Sequence, residues 1–327
     1  MKNFTFVNAL TTDDAIEALG TKWTDALVMA GGQDLLGEMK EDVVNADRVV
    51  NLKQISGLDK ISYSSMKGLD IGATVTLDTI ANHPDVKRHY PGLAQAANIV
   101  ATPQIRNVGT LGGNLCQRPR CWYYRDPDVP CWRKDGDTCF AVMGNSTYHA
   151  VLGGGPCYIV APSDVAPMVV ALGGTIHIMG PKGARAVPAD EFFVLPTENR
   201  HRENVLQPNE IVTNVTLPVL AANTRSLYVK HEERTSWDFA IASVAVVLEM
   251  DGRECRKANI VLGGAAPKPW VSKEANNAIV GKAVTNANAQ AAAEAAVDDA
   301  VPLQNNEYKI PLLTNMIRQA LHDASWA

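Results

Sequence analysis

Two glycine-rich loops constrain the fold of this chain more than any other feature of its sequence. The first loop, Gly31-Gly32-Gln33-Asp34, leaves the apolar segment Ala26 to Ala30 and leads into Leu35 to Glu41, which could begin a helix. Backbone N–H groups in such a loop can approach a diphosphate closely, although paired glycines between strand and helix are often only a tight turn. The Gly-x-Gly-x-x-Gly and Walker patterns are absent. Phosphate binding and a plain turn both remain open for this loop alone.

The second loop, Ala101 to Asn114, strengthens the case for a ligand. It contains three glycines, two asparagines and an arginine, so its backbone and short side chains could approach a ligand closely. Together, the two loops predict one long ligand with several phosphate or ribityl oxygens.

Four cysteines follow the second loop within twenty-four residues, namely Cys116, Cys121, Cys131 and Cys139. Four thiolates can bind either a tetrahedral zinc ion or a cubane iron–sulfur cluster. Only the first pair has the spacing of a zinc knuckle, and the many arginines and aromatic residues nearby favour the negatively charged cluster. Zinc and uncoordinated thiols remain the alternatives. Cys157 and Cys255 are predicted to be buried apolar residues.

Composition sets limits on class and partners. With 327 residues, 46% of them hydrophobic and 20% charged, the chain can build two cored domains. A net charge of −5 does not indicate a generally basic surface of the kind that binds nucleic acid or an anionic membrane. No apolar run approaches the roughly 18 residues that span a bilayer, and the first twenty residues lack a signal pattern. We therefore expect neither nucleic acid nor membrane as a partner, and a reducing, cytoplasmic location by default.

Periodicity and turn signals predict an α+β chain. The predicted strands are Phe4–Val7, Ala26–Ala30, Arg48–Asn51, Ile61–Ser64, Leu69–Gly72, Cys157–Val160, Ile211–Leu217, Ala240–Met250 and Lys257–Leu262, with a hairpin around Met168–Met179 closed by Gly173-Gly174. The predicted helices begin near Thr11 and Leu35 and cover Gly92–Val100, Asn286–Ala300 and Ile310–Asp323. A domain boundary is predicted in the loop Pro218–Thr224.

Five segments then identify a resemblance. Ala30–Leu36, Gln104–Asn114 and Pro162–Asp164 resemble, in order and spacing, the FAD-binding subunit of molybdenum hydroxylases, the xanthine dehydrogenase family. Tyr228–Ala240 and Leu262–Gly264 resemble its C-terminal domain. The resemblance covers nearly the whole chain.

The resemblance implies an FAD-binding fold of the p-cresol methylhydroxylase type, with two α+β subdomains at about 1–57 and 58–219. A small C-terminal α+β domain with a three-stranded antiparallel sheet would follow at 220–327. Loop 28–35 would hold the diphosphate, and Asp164 would bind the ribityl or phosphate region. The implied FAD contacts are Val28, Met29, Ala30, Gly31, Gly32, Gln33, Asp34, Leu35, Val100, Thr110, Gly113, Asn114, Asp164, Val212 and Lys230.

The cysteine segment is where the chain departs from most of that family. An insert at about 115–156 separates the Gly-Gly-Asn and Pro-Ser-Asp motifs, and it is similar to the insert of bacterial periplasmic aldehyde oxidoreductase flavoprotein subunits. There the Cys-Gln-Arg-Pro-Arg-Cys-Trp-Tyr-Tyr-Arg sequence begins a [4Fe-4S]-binding loop. The resemblance implies that Cys116, Cys121, Cys131 and Cys139 ligate such a cluster.

The implied function is that of the electron-transfer subunit of a heterotrimeric molybdenum hydroxylase, an aldehyde oxidoreductase. A molybdenum-cofactor-binding large subunit would oxidise the substrate, a [2Fe-2S] small subunit would relay electrons to FAD, and an external acceptor would receive them. No catalytic side chain is expected here. A self-contained flavin oxidase and a zinc-stabilised binding module are the alternatives. A periplasmic location would require co-export with a partner that bears a signal.

Overall fold

The computed structural model describes residues 1–234 and 236–326. The first unit is a three-stranded parallel sheet in the order β1-β3-β2 with two helices. Its elements are β1 Thr5–Asn8, α1 Thr12–Leu19, β2 Ala26–Met29, α2 Leu35–Lys40 and β3 Arg48–Asn51. The Thr11 side chain opens α1 by accepting a hydrogen bond from the Asp14 N–H, as expected of a capping box. Because β2 ends at Met29, the first glycine loop leaves the carboxyl edge of the sheet and leads into α2.

The second unit has a five-stranded antiparallel sheet in the order β4-β5-β8-β6-β7. Helices α5 and α9 pack in its core, which includes Leu93 and Met168. Its elements are β4 Ile61–Ser64, β5 Gly68–Gly72, α3 Leu77–Asn82, α4 Pro84–His89, α5 Pro91–Asn98, α6 Pro103–Arg106, α7 Leu111–Leu115, α8 Trp122–Arg125, a 3₁₀ helix Trp132–Lys134, α9 Val165–Ala171, β6 Thr175–Gly180, β7 Gly183–Pro188, α10 Ala189–Phe192 and β8 Ile211–Leu217.

Two predictions in this unit are wrong. The segment predicted as a hairpin around Met168–Met179 is α9 followed by β6, and the hairpin partner of β6 is β7. The run Val165–Ala171 is buried all round, and a short apolar run of that kind cannot be assigned to strand or helix by periodicity. Residues 157–160, predicted as a strand, have no regular structure.

The C-terminal domain has an antiparallel sheet in the order β12-β11-β10-β9, covered by three helices. The predicted three-stranded sheet is therefore extended by a strand of two residues, β12, paired through Val261 and Val271. The elements are β9 Thr224–His231, β10 Ala242–Asp251, β11 Glu254–Gly263, β12 Trp270–Val271, α11 Lys273–Ile279, α12 Asn286–Ala295 and α13 Lys309–Trp326.

Strand β10 joins the two domains, because its side chains point alternately into two cores. Ala245 and Val247 belong to the core of the second unit, whereas Val244 and Val246 belong to the core under α12 and α13. Within the described residues, none of the helices is both long and apolar enough to cross a bilayer.

Candidate cofactor site

A single cleft of about 440 Å³ lies where the two glycine-rich loops meet. Its wall includes the first loop from Gly31 to Asp34, the second from Gly109 to Asn114, and Asp164 at the start of α9. An elongated ligand in this cleft would contact both loops at once, as the sequence predicts.

Glycine is required in the first loop for two different reasons. A Cβ on Gly31 would lie 2.3 Å from the carbonyl oxygen of Val108, so the first loop can touch the second only without a side chain. Gly32 has φ of +71°, a conformation that costs a β-branched residue free energy. The loop thus presents bare backbone to the cleft, which suits a diphosphate.

Hydrogen bonds tie the second loop to the start of α9. The Thr110 hydroxyl accepts from the Gly113 N–H at 3.2 Å and opens α7. The Ser163 hydroxyl donates to Asn114 Oδ1 at 2.5 Å and accepts from the Ala166 N–H at 2.9 Å. The Ser163–Asn114 bond joins residues that are 49 positions apart in the sequence. The Gly-Gly-Asn and Pro-Ser-Asp motifs therefore form one wall of the cleft.

Asp164 is engaged by the C-terminal domain. Its carboxylate accepts hydrogen bonds from the Tyr228 hydroxyl at 2.9 Å and from Lys230 Nζ at 3.1 Å. Burial raises the pKa of Asp164, and the Lys230 charge opposes that rise. Lys230 also lies 3.0 Å from Glu232 and donates to the Asp238 carbonyl at 2.7 Å. Lys230, implied as a flavin contact, is wholly buried behind Asp164 and is neutralised by carboxylates of the protein itself.

The other residues implied as FAD contacts all line the cleft. They are Val28, Met29, Ala30, Gly31, Gly32, Gln33, Asp34, Leu35, Val100, Thr110, Gly113, Asn114, Asp164 and Val212. Their contacts with FAD stay a prediction.

Further cleft residues were not anticipated, namely Trp23, Cys116, Arg118, Arg120, Arg202, Glu203, Trp237, Asp238 and Phe239. Arg118 and Arg120 belong to the insert, and Arg202 and Glu203 belong to the irregular segment before β8. No sequence pattern indicates this, because the positions depend on how long loops fold back over the sheet.

The insert is bound to the first glycine loop through the Asp34 carboxylate. Oδ1 of Asp34 lies 2.7 Å from guanidinium nitrogens of both Arg120 and Arg125, and Oδ2 accepts from the Arg118 N–H at 2.6 Å. The Tyr124 hydroxyl donates to Glu38 in α2 at 3.0 Å, and burial raises the pKa of Glu38. The implied diphosphate residue Asp34 therefore anchors the insert.

A second anchor is Glu203. Its carboxylate pairs with Arg118 at 2.7 Å and with the buried Arg133, so one acid neutralises two arginines of the insert. Arg200 donates to the carbonyl oxygens of Trp132 and Gly136 from the same segment. The insert is therefore held from both sides and forms part of the cleft wall.

Four cysteines share one neighbourhood beside the cleft. Burial, together with the nearby Cys139 and Cys131, raises the pKa of Cys121 to about 12. The Cys139 and Cys157 thiols interact, which lowers the pKa of Cys139 to about 6 and raises that of Cys157. Cys139 and Pro156, the residue before Cys157, also line the same small surface cavity. Cys157 is buried, as predicted, and its thiol also interacts with that of Cys139.

Cys116 lines the wall of the main cleft. Burial and then the Glu203 carboxylate raise the pKa of its thiol to about 12. Beside Cys121 there is instead His149, whose Nε2 lies 3.2 Å from the Cys121 Sγ. Across residues 1–234 and 236–326, no three His, Cys, Asp or Glu side chains are arranged to share one metal ion. The four cysteines predicted as ligands are thus not assembled into a metal-ion site. Cys255 is buried, as predicted.

Comparison with known proteins agrees with this geometry. The FAD binding domain in molybdopterin dehydrogenase matches residues 2–220, and the CO dehydrogenase flavoprotein C-terminal domain matches residues 228–324. The aldehyde oxidoreductase FAD-binding subunit PaoB of Escherichia coli is 33% identical over 327 residues, covering 99% of each chain. The carbon monoxide dehydrogenase medium chain of Hydrogenophaga pseudoflava is 27% identical and covers 96% of this chain and 94% of the relative.

A solved structure of carbon monoxide dehydrogenase from Hydrogenophaga pseudoflava superimposes with a TM-score of 0.79 at 27% identity, over 99% of this chain and 98% of its own. This likeness confirms the α+β fold predicted from the sequence. The family match confirms FAD as the ligand class and oxidoreductase as the enzyme class. The chain therefore belongs to the FAD-binding subunits of the molybdenum hydroxylase family and is similar to those of aldehyde oxidoreductases.

Proposed function

We propose that this chain is the electron-transfer flavoprotein of a heterotrimeric aldehyde oxidoreductase. The observation that carries the proposal is the joining of the FAD cleft to a thiol-rich insert through Asp34 and Glu203. Bound FAD supplies the ability to accept electrons singly and release them as a pair. The protein residues that would bind and orient it are the backbone of loop 28–35, which would hold the diphosphate, and Thr110, Gly113 and Asn114, which line the same cleft.

The partners follow from the relatives. Several are named as medium chains or FAD-binding subunits, which fits a chain that works with other subunits. For this chain we propose a molybdenum-cofactor-binding large subunit, a [2Fe-2S] small subunit and an external electron acceptor. We also propose a cytoplasmic location, with the periplasm as the alternative.

We also propose that the insert holds one [4Fe-4S] cluster. Its ligands are Cys121, Cys131, Cys139 and Cys157, since these four share one neighbourhood. This set replaces Cys116 in the set expected from the sequence, because the Cys116 thiol faces the cleft beside Glu203. Four thiolates satisfy a cubane, which spaces its ligands more widely than the single ion of a zinc knuckle.

Arginines support the cluster assignment. A four-thiolate cluster carries net negative charge, and a nearby cation stabilises it. The Arg133 side chain is 1% exposed, and its charge acts on the Cys157 thiol. A single buried arginine beside these thiols is thus suited to a negatively charged group.

The visible spectrum of the purified complex tests the function. We expect flavin absorption together with iron–sulfur absorption in excess of what the small subunit contributes. Flavin without extra iron–sulfur absorption would favour a simple flavoprotein, and a colourless chain would favour the zinc-stabilised module.

Anaerobic iron and sulfide analysis of single-cysteine variants tests the ligand set. We expect about four iron and four sulfide per chain beyond the partners' clusters, the stoichiometry of a cubane. Cys157→Ser should lower that content, whereas the matched variants Cys116→Ser and Cys255→Ser should not. If Cys116→Ser lost iron and Cys157→Ser kept its full iron content, the ligands would instead be the four predicted from the sequence, with Cys116 in place of Cys157. One bound zinc and no extra iron would overturn the cluster.

A further inference from the structure

One arginine in the cleft wall has no partner for its charge. Arg202 lines the cleft, and its guanidinium stacks at 3.5 Å on the ring centroid of Trp23. Its Nε is buried without a hydrogen-bond partner. Among the described residues, no carboxylate lies within 4.0 Å of this guanidinium, and no side-chain hydrogen bond satisfies it.

The surrounding charges add to this imbalance. The nearest acid is the sequence neighbour Glu203, which is already shared by Arg118 and Arg133. One carboxylate thus faces three guanidinium groups in this part of the wall. Burial, and then repulsion by Arg118, lower the pKa of Arg202 to about 10, which still leaves it charged at neutral pH. Arg202 is half-buried and its Nε is shielded from solvent without a partner, so an anion that joins the guanidinium would stabilise it.

The cleft specifies which anion would join it. The same cleft contains the bare backbone of Gly31 and Gly32, whose N–H groups suit a diphosphate. A guanidinium binds phosphate oxygens through charge-assisted, often bidentate hydrogen bonds. The Trp23 ring holds the guanidinium through a cation–π contact, which leaves its N–H groups available for such bonds.

We propose that Arg202 is a phosphate-binding residue of the FAD site, which neutralises the diphosphate in the cleft that the first glycine loop also lines. The inference rests on the proposed flavin function and assigns a role to a residue outside both glycine-rich loops. The proposal predicts that Arg202 contributes to the free energy of binding only for ligands that carry phosphates, whatever ring systems they contain.

Ligand-binding measurements on flavin-stripped protein test the proposal. FAD, ADP, adenosine and riboflavin would each be titrated into the wild type, Arg202→Gln and Arg202→Lys. We expect Arg202→Gln to weaken FAD and ADP about 10- to 100-fold, the range that a charge-assisted hydrogen bond of about 1.5–3 kcal/mol supports. Adenosine and riboflavin should be unaffected, and lysine should restore part of the loss. Added salt should weaken FAD binding less in Arg202→Gln than in the wild type.

Arg256→Gln is the matched control, because Arg256 is an exposed arginine paired with Asp251 and Glu254. Equal losses for ADP and adenosine would overturn the proposal and place Arg202 against the adenine ring instead. Unchanged FAD affinity in Arg202→Gln would also overturn it. Failure of the wild type itself to bind FAD would refute the proposed function, which is a separate result.

Discussion

Replacing Asp164 by alanine should destabilise the protein in addition to weakening FAD binding. The sequence alone presents Asp164 as a ligand-binding carboxylate, whose loss would reduce flavin affinity more than stability. In the structure the carboxylate is 4% exposed and lies against Lys230 and Tyr228. Alanine would leave the Tyr228 hydroxyl without its acceptor and Lys230 with one carboxylate fewer.

The size of the effect follows from these contacts. Removing one member of a buried ion pair costs about 3–5 kcal/mol. Lys230 would keep Glu232 at 3.0 Å and the Asp238 carbonyl at 2.7 Å, so we expect the lower end, about 3 kcal/mol. A chain of 327 residues unfolds with an entropy of about 0.7 kcal/mol/K, and the melting temperature should fall by about 4 °C.

Scanning calorimetry on flavin-stripped protein measures this shift without any contribution from the ligand. Asp70→Ala is a suitable control, because Asp70 accepts a hydrogen bond from Asn214 at an exposed position and should cost little. If Asp164→Ala left the melting temperature unchanged and still caused a large loss of FAD affinity, the reasoning would be refuted. Asp164 would then act only as a direct contact to the ligand.

Two further predictions concern the first glycine loop and a buried lysine. Gly32→Val should abolish FAD retention, because the side chain would strain the loop at φ of +71° and its Cβ would lie within 3.6 Å of the Leu36 and Met29 side chains. Gly57→Val is the control, because at φ of +91° and with no atom within 4 Å of the new Cβ it should cause similar strain yet keep flavin. Flavin absorbance after gel filtration measures retention in both variants. Full occupancy in Gly32→Val would contradict the loop assignment. Lys309 is 0% exposed and donates to the carbonyls of Tyr148 and Gly264, and burial lowers its pKa to about 7. Between pH 7 and 10 the unfolded lysine keeps the proton that the folded one releases, so stability should rise with pH in the wild type and not in Lys309→Met. Melting temperatures of the two proteins at pH 7 and pH 9 test this, and parallel pH profiles would count against it.

The sequence predicts the cleft better than it predicts the thiol neighbourhood, for a physical reason. Gly31, Gly32 and Asn114 sit at the ends of regular elements, where strand and helix signals locate the backbone within a residue or two. Cys157 lies in an irregular segment and meets Cys139 only through the folding of the insert. Spacing along the chain predicts that Cys116 joins the other three thiols, and in the structure Cys116 follows the end of α7 and lines the cleft.

The same distinction explains Lys230 and Arg202. Lys230 lies on a regular strand, so its position was predictable, but its neutralisation by Asp164 and Glu232 depends on packing between domains. Arg202 lies in a long irregular connection, and neither periodicity nor turn chemistry indicates that it reaches Trp23.

The ion pairs between the insert and the rest of the chain also limit how the insert can be transferred to another protein. An added loop is usually tolerated because it extends from a surface and leaves its host unchanged. Here its arginines are matched by acids of the host, Asp34, Glu38 and Glu203. Cutting the insert out would leave those carboxylates around the cleft without the insert's arginines, and the excess negative charge would disfavour a phosphate. Protein engineers who move this segment into an insert-free flavoprotein should therefore move the three acids with it.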